Sequence, residues 1–219
     1  MTTRREWRFR PTLWATVAVV PALAILVGLG VWQLQRLEWK NALIAEMRGR
    51  MQAEAIELPD PVEDPAALRF RRVELTGAYL HERELYRVAQ PLRNTRGLFV
   101  ITPMRLVDGR EILVNRGWAP LDHRDPATRA ASQVDGQVTV EAIVRQGGWK
   151  GSDWFQPANQ PQTNEWLWMD LDAMAAQAGL ENPVTEVYAD VAADGDVGAG
   201  EYPIGGQTRV NLRNDHLEY

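Results

Sequence analysis

The chain has 219 residues, with 24 Lys and Arg against 29 Asp and Glu, a formal charge of -5 and no cysteine. A mildly acidic balance argues against nucleic acid as a partner. The absence of thiols excludes disulfide staples, thiol redox chemistry and soft thiolate copper sites.

The first element dominates the rest. Pro11 to Gln35, PTLWATVAVVPALAILVGLGVWQLQ, is an uncharged run of twenty-five residues. A helix of that length reaches roughly 37 Å, enough to cross a hydrocarbon core of about 30 Å with some tilt. Trp14 and Trp32 stand near its ends, where indoles favour the headgroup level. The apolar stretch is longer than a signal peptide requires and lacks a small-residue cleavage site, so the span is expected to be retained. Arg4, Arg5, Arg8 and Arg10 precede it, and Arg36, Lys40, Arg48 and Arg50 follow it. The denser leader points weakly to the cytoplasm. A ten-residue leader leaves no room for a transit peptide, which points to a bacterial plasma membrane.

The segment from Trp32 to Ala55 lacks proline, and Leu37, Ile44 and Met51 recur on one face, so the helix is expected to continue beyond the membrane. Pro59, Pro61 and Pro65 then mark a linker. From Arg69 the pattern turns strand-like: RRVELTGAYL, ELYRVAQPL, GLFVITPMRLVDGREILVNRGW, GQVTVEAIVRQ, NEWLWMDL, VTEVYADV and QTRVNLRN. Asp108-Gly109 predicts a type I′ hairpin. LDAMAAQAGL predicts a helix stopped by Gly179.

The predicted fold is a membrane-anchored α+β protein. A transmembrane helix precedes one mostly antiparallel β domain, barrel- or sandwich-like, with one or two helices. The segments are 1–10 leader, 11–35 span, 36–66 helical extension and proline-rich linker, and 67–213 β domain, with 214–219 beyond it.

Chemistry is sparse. His81, His123 and His216 are far apart without metal-ligand spacing, and there is no nucleophile elbow, P-loop or dinucleotide fingerprint. Acidic pairs such as Glu82/Glu84 and Asp122/Asp125 read as solvated surface. The chain is therefore read as no enzyme, and a membrane-tethered hydrolase is disfavoured because no nucleophile, base and orienting group share a motif. In Leu113-Val-Asn-Arg-Gly-Trp118, Gly117 is expected to relieve a strand-end bend and Trp118 to pack on the core. Trp32 and Arg36 suit interfacial anchoring, and His216 is a lone histidine with ligand chemistry open to it.

Several motifs occur together in order. They are Gly30-Val-Trp32-Gln33-Leu34 with Arg36 and Trp39-Lys40, Gly77-Ala-Tyr79, Gly97-Leu-Phe-Val-Ile-Thr102-Pro103, and Ile112-Leu-Val-Asn115-Arg116-Gly117-Trp118-Ala-Pro120. Phe155-Gln-Pro157-x-Asn159-x-Pro161, Pro203-Ile-Gly205-Gly206 and Asn214-Asp-His216-Leu-Glu-Tyr219 follow. In this set the chain resembles the Surfeit locus protein 1 family of cytochrome c oxidase assembly factors. The resemblance implies two transmembrane helices framing an extracytoplasmic, periplasmic β domain, the second opening at 214–219, so the chain stops at Tyr219 before it. It also implies transient binding of haem A and its delivery to the oxidase catalytic subunit. Further implied contacts are the lipid bilayer and haem A synthase, with no nucleic acid. His216 carries over as the candidate haem ligand, the one metal contact expected. Arg36 and Arg116 are candidate propionate partners, since guanidinium matches carboxylate geometry. Trp32, Gln33, Asn115, Gly117, Trp118, Asn214 and Tyr219 carry over as family-motif residues. The alternative is a structural chaperone of the oxidase core subunit that does not touch the cofactor.

Overall fold

The computed structural model describes residues 13–92, 94–149, 151–193, 198 and 200–206. The first element, α1 (Leu13–Gln52), runs as one helix of 40 residues through Pro21 and past the apolar run. Its apolar window has a mean hydropathy of 2.2, and none of that window is buried by protein. A helix that is apolar all round and uncovered needs lipid as its solvent, so α1 is the membrane anchor.

The β domain begins with β1 (Ile56–Glu57), α2 (Pro65–Leu68), β2 (Arg72–Tyr79), β3 (Leu85–Leu92), β4 (Thr95–Leu106) and β5 (Glu111–Pro120). It continues with β6 (Gln137–Arg145), β7 (Glu165–Trp166), α3 (Leu171–Gln177) and β8 (Pro183–Val191). In the strand order β1-β2-β6-β8-β5-β4-β3-β7, an additional β2–β4 pairing joins the sheet to itself. β2, β6, β8, β5 and β4 therefore form a closed barrel, and β3 and β7 extend it along the first half of β4. The pairings are antiparallel except β1–β2, β3–β7 and β5–β8. The expectation of an anchored, mostly antiparallel β domain holds, and closure decides for the barrel.

The switch of partners is made on one long strand. β4 pairs with β3 up to Ile101 and with β2 from Met104. Pro103, which has no N–H to offer a ladder, sits at the change. Val73, Met104, Ile112, Val114, Ala142 and Ala189 are fully buried and fill the barrel. Outside it, α3 lays Met174 against Ile101, Leu113, Trp166 and Tyr188. The end of α3 follows from its sequence: Gly179 has φ 62, and the N–H groups of Gly179 and Leu180 donate to the carbonyls of Ala176 and Ala175. That is a Schellman stop, with Leu180 tucked onto the same core.

Three expectations change. The β4–β5 turn is not type I′, which needs positive φ at both central residues. Only Gly109 has it, with Gly109 N–H donating to Leu106 and Leu106 N–H to Arg110. The loop is a three-residue one closed by a left-handed glycine. The proline-rich stretch is not a free spacer either, because Leu58 is buried in the barrel core with Val62 packed against it. NEWLWMDL yields only the two-residue β7. QTRVNLRN and 214–219 lie outside the described residues.

Candidate functional site at the β5 bulge

On α1 the exit residues Trp32, Gln33 and Arg36 are exposed, and the Arg36 guanidinium lies 5.2 Å from the centre of the Trp32 ring. One helical turn brings the pair together, and the contact suits an interfacial anchor. Arg36 keeps its charge accessible. His216, Asn214 and Tyr219 lie outside the described residues.

In the β domain the Asn-Arg-Gly-Trp motif builds a bulge. Ile101 pairs with Asn115 but Val100 pairs with Gly117, so Arg116 is the extra residue. A bulge shifts the alternation by one, which re-aims the next side chain. Asn115 stays on the outer face, where its Nδ2 donates to Asp190 at 2.8 Å. Arg116 enters the interior, and Trp118 returns to the outer face opposite Phe99.

Two glycines make this possible. Gly117 has φ +134, and a Cβ there would stand 2.1 Å from the Ile204 carbonyl oxygen. That close approach lets Trp118 and Ile204 exchange backbone hydrogen bonds of 3.0 and 2.8 Å. Gly97 lies under the indole, where a Cβ would come within 2.3 Å of the Trp118 ring. The motifs around Gly97, Asn115 to Trp118 and Pro203 to Gly206 thus meet at one place in space. Trp118 is buried, as the packing reading of this motif expected.

Arg116 is itself fully buried. Its guanidinium rests 4.9 Å over the Tyr79 ring, reaches Glu84 Oε1 at 3.5 Å and donates to the Ser132 carbonyl. Those partners occupy the group that was expected to meet a propionate: Arg116 follows Ile112 and Val114 on the inner face by strand alternation, and the bulge re-aims Trp118 instead. Glu84 is the centre of the cluster. It takes Arg129 Nη2 at 2.6 Å and the Thr102 hydroxyl at 3.2 Å, with His81 Nδ1 at 3.7 Å and the Tyr86 hydroxyl at 3.4 Å. His81 also places Nε2 3.1 Å from the Val134 carbonyl.

Burial pushes the Glu84 carboxyl up, but hydrogen bonds from His81 and Arg129 and the charges of Arg129 and Arg116 outweigh it, leaving a pKa of about 2. Burial first, then the Glu84 charge, pushes the Tyr86 phenol up to about 12. One buried carboxylate thus holds two buried guanidiniums, an arrangement that latches the barrel mouth. The acidic pair Glu82/Glu84 is therefore not all solvated surface: Glu84 is buried, and its partner Arg129 stands in the sequence as a charge among small residues in PATRAAS.

Of the other histidines, His123 packs its ring 4.8 Å from that of Tyr202. Among the described residues no three His, Cys, Asp or Glu gather into a metal site. Asn159, another motif residue, accepts backbone N–H groups from Leu167 and Trp168 and so shapes the loop before α3.

Comparison with known proteins gives the motifs a common source. Residues 20–219 match the SURF1 family. Surfeit locus protein 1 of Homo sapiens is 39% identical over 218 residues, covering 92% of this chain and 69% of that protein. The same-named protein of Mus musculus is 41% identical over 217 residues, covering 92% and 67%. A SURF1-like protein of Monosiga brevicollis is 36% identical over 219 residues, covering 94% and 79%. The match runs from within the anchor through the bulge and beyond it, and on this ground the chain belongs to the SURF1 family.

Proposed function

We propose that this protein is an assembly factor for haem-copper cytochrome c oxidase that binds haem A transiently and assists its insertion into the catalytic subunit, without catalysing a reaction of its own. Family membership over nearly the whole chain is the observation that carries this reading. The barrel stands on the extracytoplasmic side of a bacterial plasma membrane, in keeping with the arginines at positions 4, 5, 8 and 10 ahead of the span. His216 supplies the iron ligand. Arg36, exposed beside Trp32, is the propionate partner, whereas Arg116 contributes by holding the barrel mouth. An amphiphilic cofactor is best met at the bilayer boundary, where apolar surface and charged groups adjoin.

The test is to co-express the full-length protein with a haem A synthesis pathway, purify it and record the haem absorbance. The band should accompany the protein and vanish in His216→Ala. A band that persists in that variant overturns the ligand assignment. No band in either protein, with oxidase assembly still dependent on it, replaces the haem carrier with the structural chaperone. Oxidase assembly that does not depend on the protein sinks the assembly role itself.

A further inference from the structure

On the outer face of β3, β4, β5 and β8 lies a cavity of about 540 Å³, within the size range of small-molecule sites. Its polar walls include Arg87, Gln90, Asn115, Arg145, Tyr188 and Asp190, with the Trp118 indole beside them. The charges do not balance. Asp190 is matched by Arg145 at 3.1 Å and also accepts from Asn115. Arg87 has no acceptor among the described residues; its guanidinium lies 4.5 Å from the centre of the Phe99 ring, which holds it in place without neutralising it. Three buried N–H groups on these walls, Nε of Arg87, Nε of Arg145 and Nε1 of Trp118, likewise lack an acceptor among the described residues.

The Tyr188 phenol, raised by burial and then by the Asp190 charge, adds a hydroxyl that stays protonated. Around the mouth are Val88, Pro91 and Leu167, with Val88 and Leu167 exposed to solvent.

We infer that this cavity is a binding site for a monoanionic carboxylate carried on an apolar body, with Arg87 as its principal charge partner and the Trp118 ring as part of its wall. Among the described wall residues, Arg87, Arg145 and Asp190 leave one net positive charge, which suits a monoanion. The planar fork of a guanidinium suits a carboxylate, and the apolar rim suits the body attached to it. The site is independent of haem ligation at His216.

The test uses the full chain in lipid nanodiscs with nitrogen-15 indoles, the Trp118 signal being identified from the Trp118→Phe spectrum. Titration with 4-phenylbutyrate should move that signal, and 4-phenylbutan-1-ol should bind at least tenfold more weakly. Arg87→Met should weaken the acid at least tenfold while the other indole signals keep their dispersion. Leu167→Asp, a rim change that leaves the walls intact, should weaken it severalfold and serves if Arg87→Met does not fold. No shift with the acid, equal response to acid and alcohol, or undiminished binding in the folded variants would each overturn the assignment.

Discussion

Arg116, on the inner face of β5, and Arg87, on the outer face of β3, are both sheltered arginines resting on an aromatic ring, at 4.9 Å from Tyr79 and 4.5 Å from Phe99. Arg116 is fully buried and Arg87 half-buried, and their acceptors differ. Arg116 has a carboxylate and a carbonyl within reach, and it shares that carboxylate with Arg129. Arg87 has neither. The same side chain is thus a structural latch on one side of the sheet and an uncommitted charge on the other. Arg116 is also the more deeply buried of the two, but it is the count of acceptors in reach that makes one a latch and leaves the other uncommitted.

The largest effect should come from breaking the latch. Glu84→Gln leaves two buried guanidiniums without a countercharge, and removing one partner of such a cluster costs about 3–5 kcal/mol. Denaturant titration of the full chain in detergent measures it. The same carboxylate sets a pH dependence. Its pKa falls from 4.5 to about 2 on folding, so its contribution is complete above the unfolded value and is lost as pH drops from about 4.5 towards 2. The total over that window is about 3 kcal/mol, and Glu84→Gln should flatten the slope. An unchanged slope would mean that another group carries the acid sensitivity.

A smaller loss is expected from Gly117→Ala, which places a methyl against the Ile204 carbonyl at a positive φ. Strain of this kind costs about 1–3 kcal/mol, and the Trp118 indole signal should shift with it. Smallest is Arg87→Met. It gives up a cation–π contact worth about 0.5–1 kcal/mol and breaks no ion pair, so stability should change by no more than that while carboxylate binding falls. A loss as large as that of Glu84→Gln would erase the contrast between the two arginines.

Much of the frame was legible in the residues. The apolar run announced the anchor, alternation marked β2 and β3, and Gly179 marked the end of α3. The bulge was not legible. All ten residues of β5 are buried, so the alternation that would have displayed its two faces is absent. Glu84 was hidden for a different reason: its partners Arg116 and Arg129 lie 32 and 45 positions away and reach it only when the barrel forms. Leu58 and Val62 were masked by the prolines around them, which read as a spacer although the chain between them is packed. The resemblance found the right motifs but not their work. It marked Arg116 without saying that the side chain lies inside the barrel, against Glu84.

The strand order also sets a timetable. β8 sits between β5 and β6, so the last strand among the described residues is the one that completes the ring. Until residues 183–191 have been synthesised, β5 and β6 each present an open edge, the kind of surface that pairs with other chains. By then the anchor, first in the chain, has long been made, so an unfinished barrel waits for its last stave while already tethered.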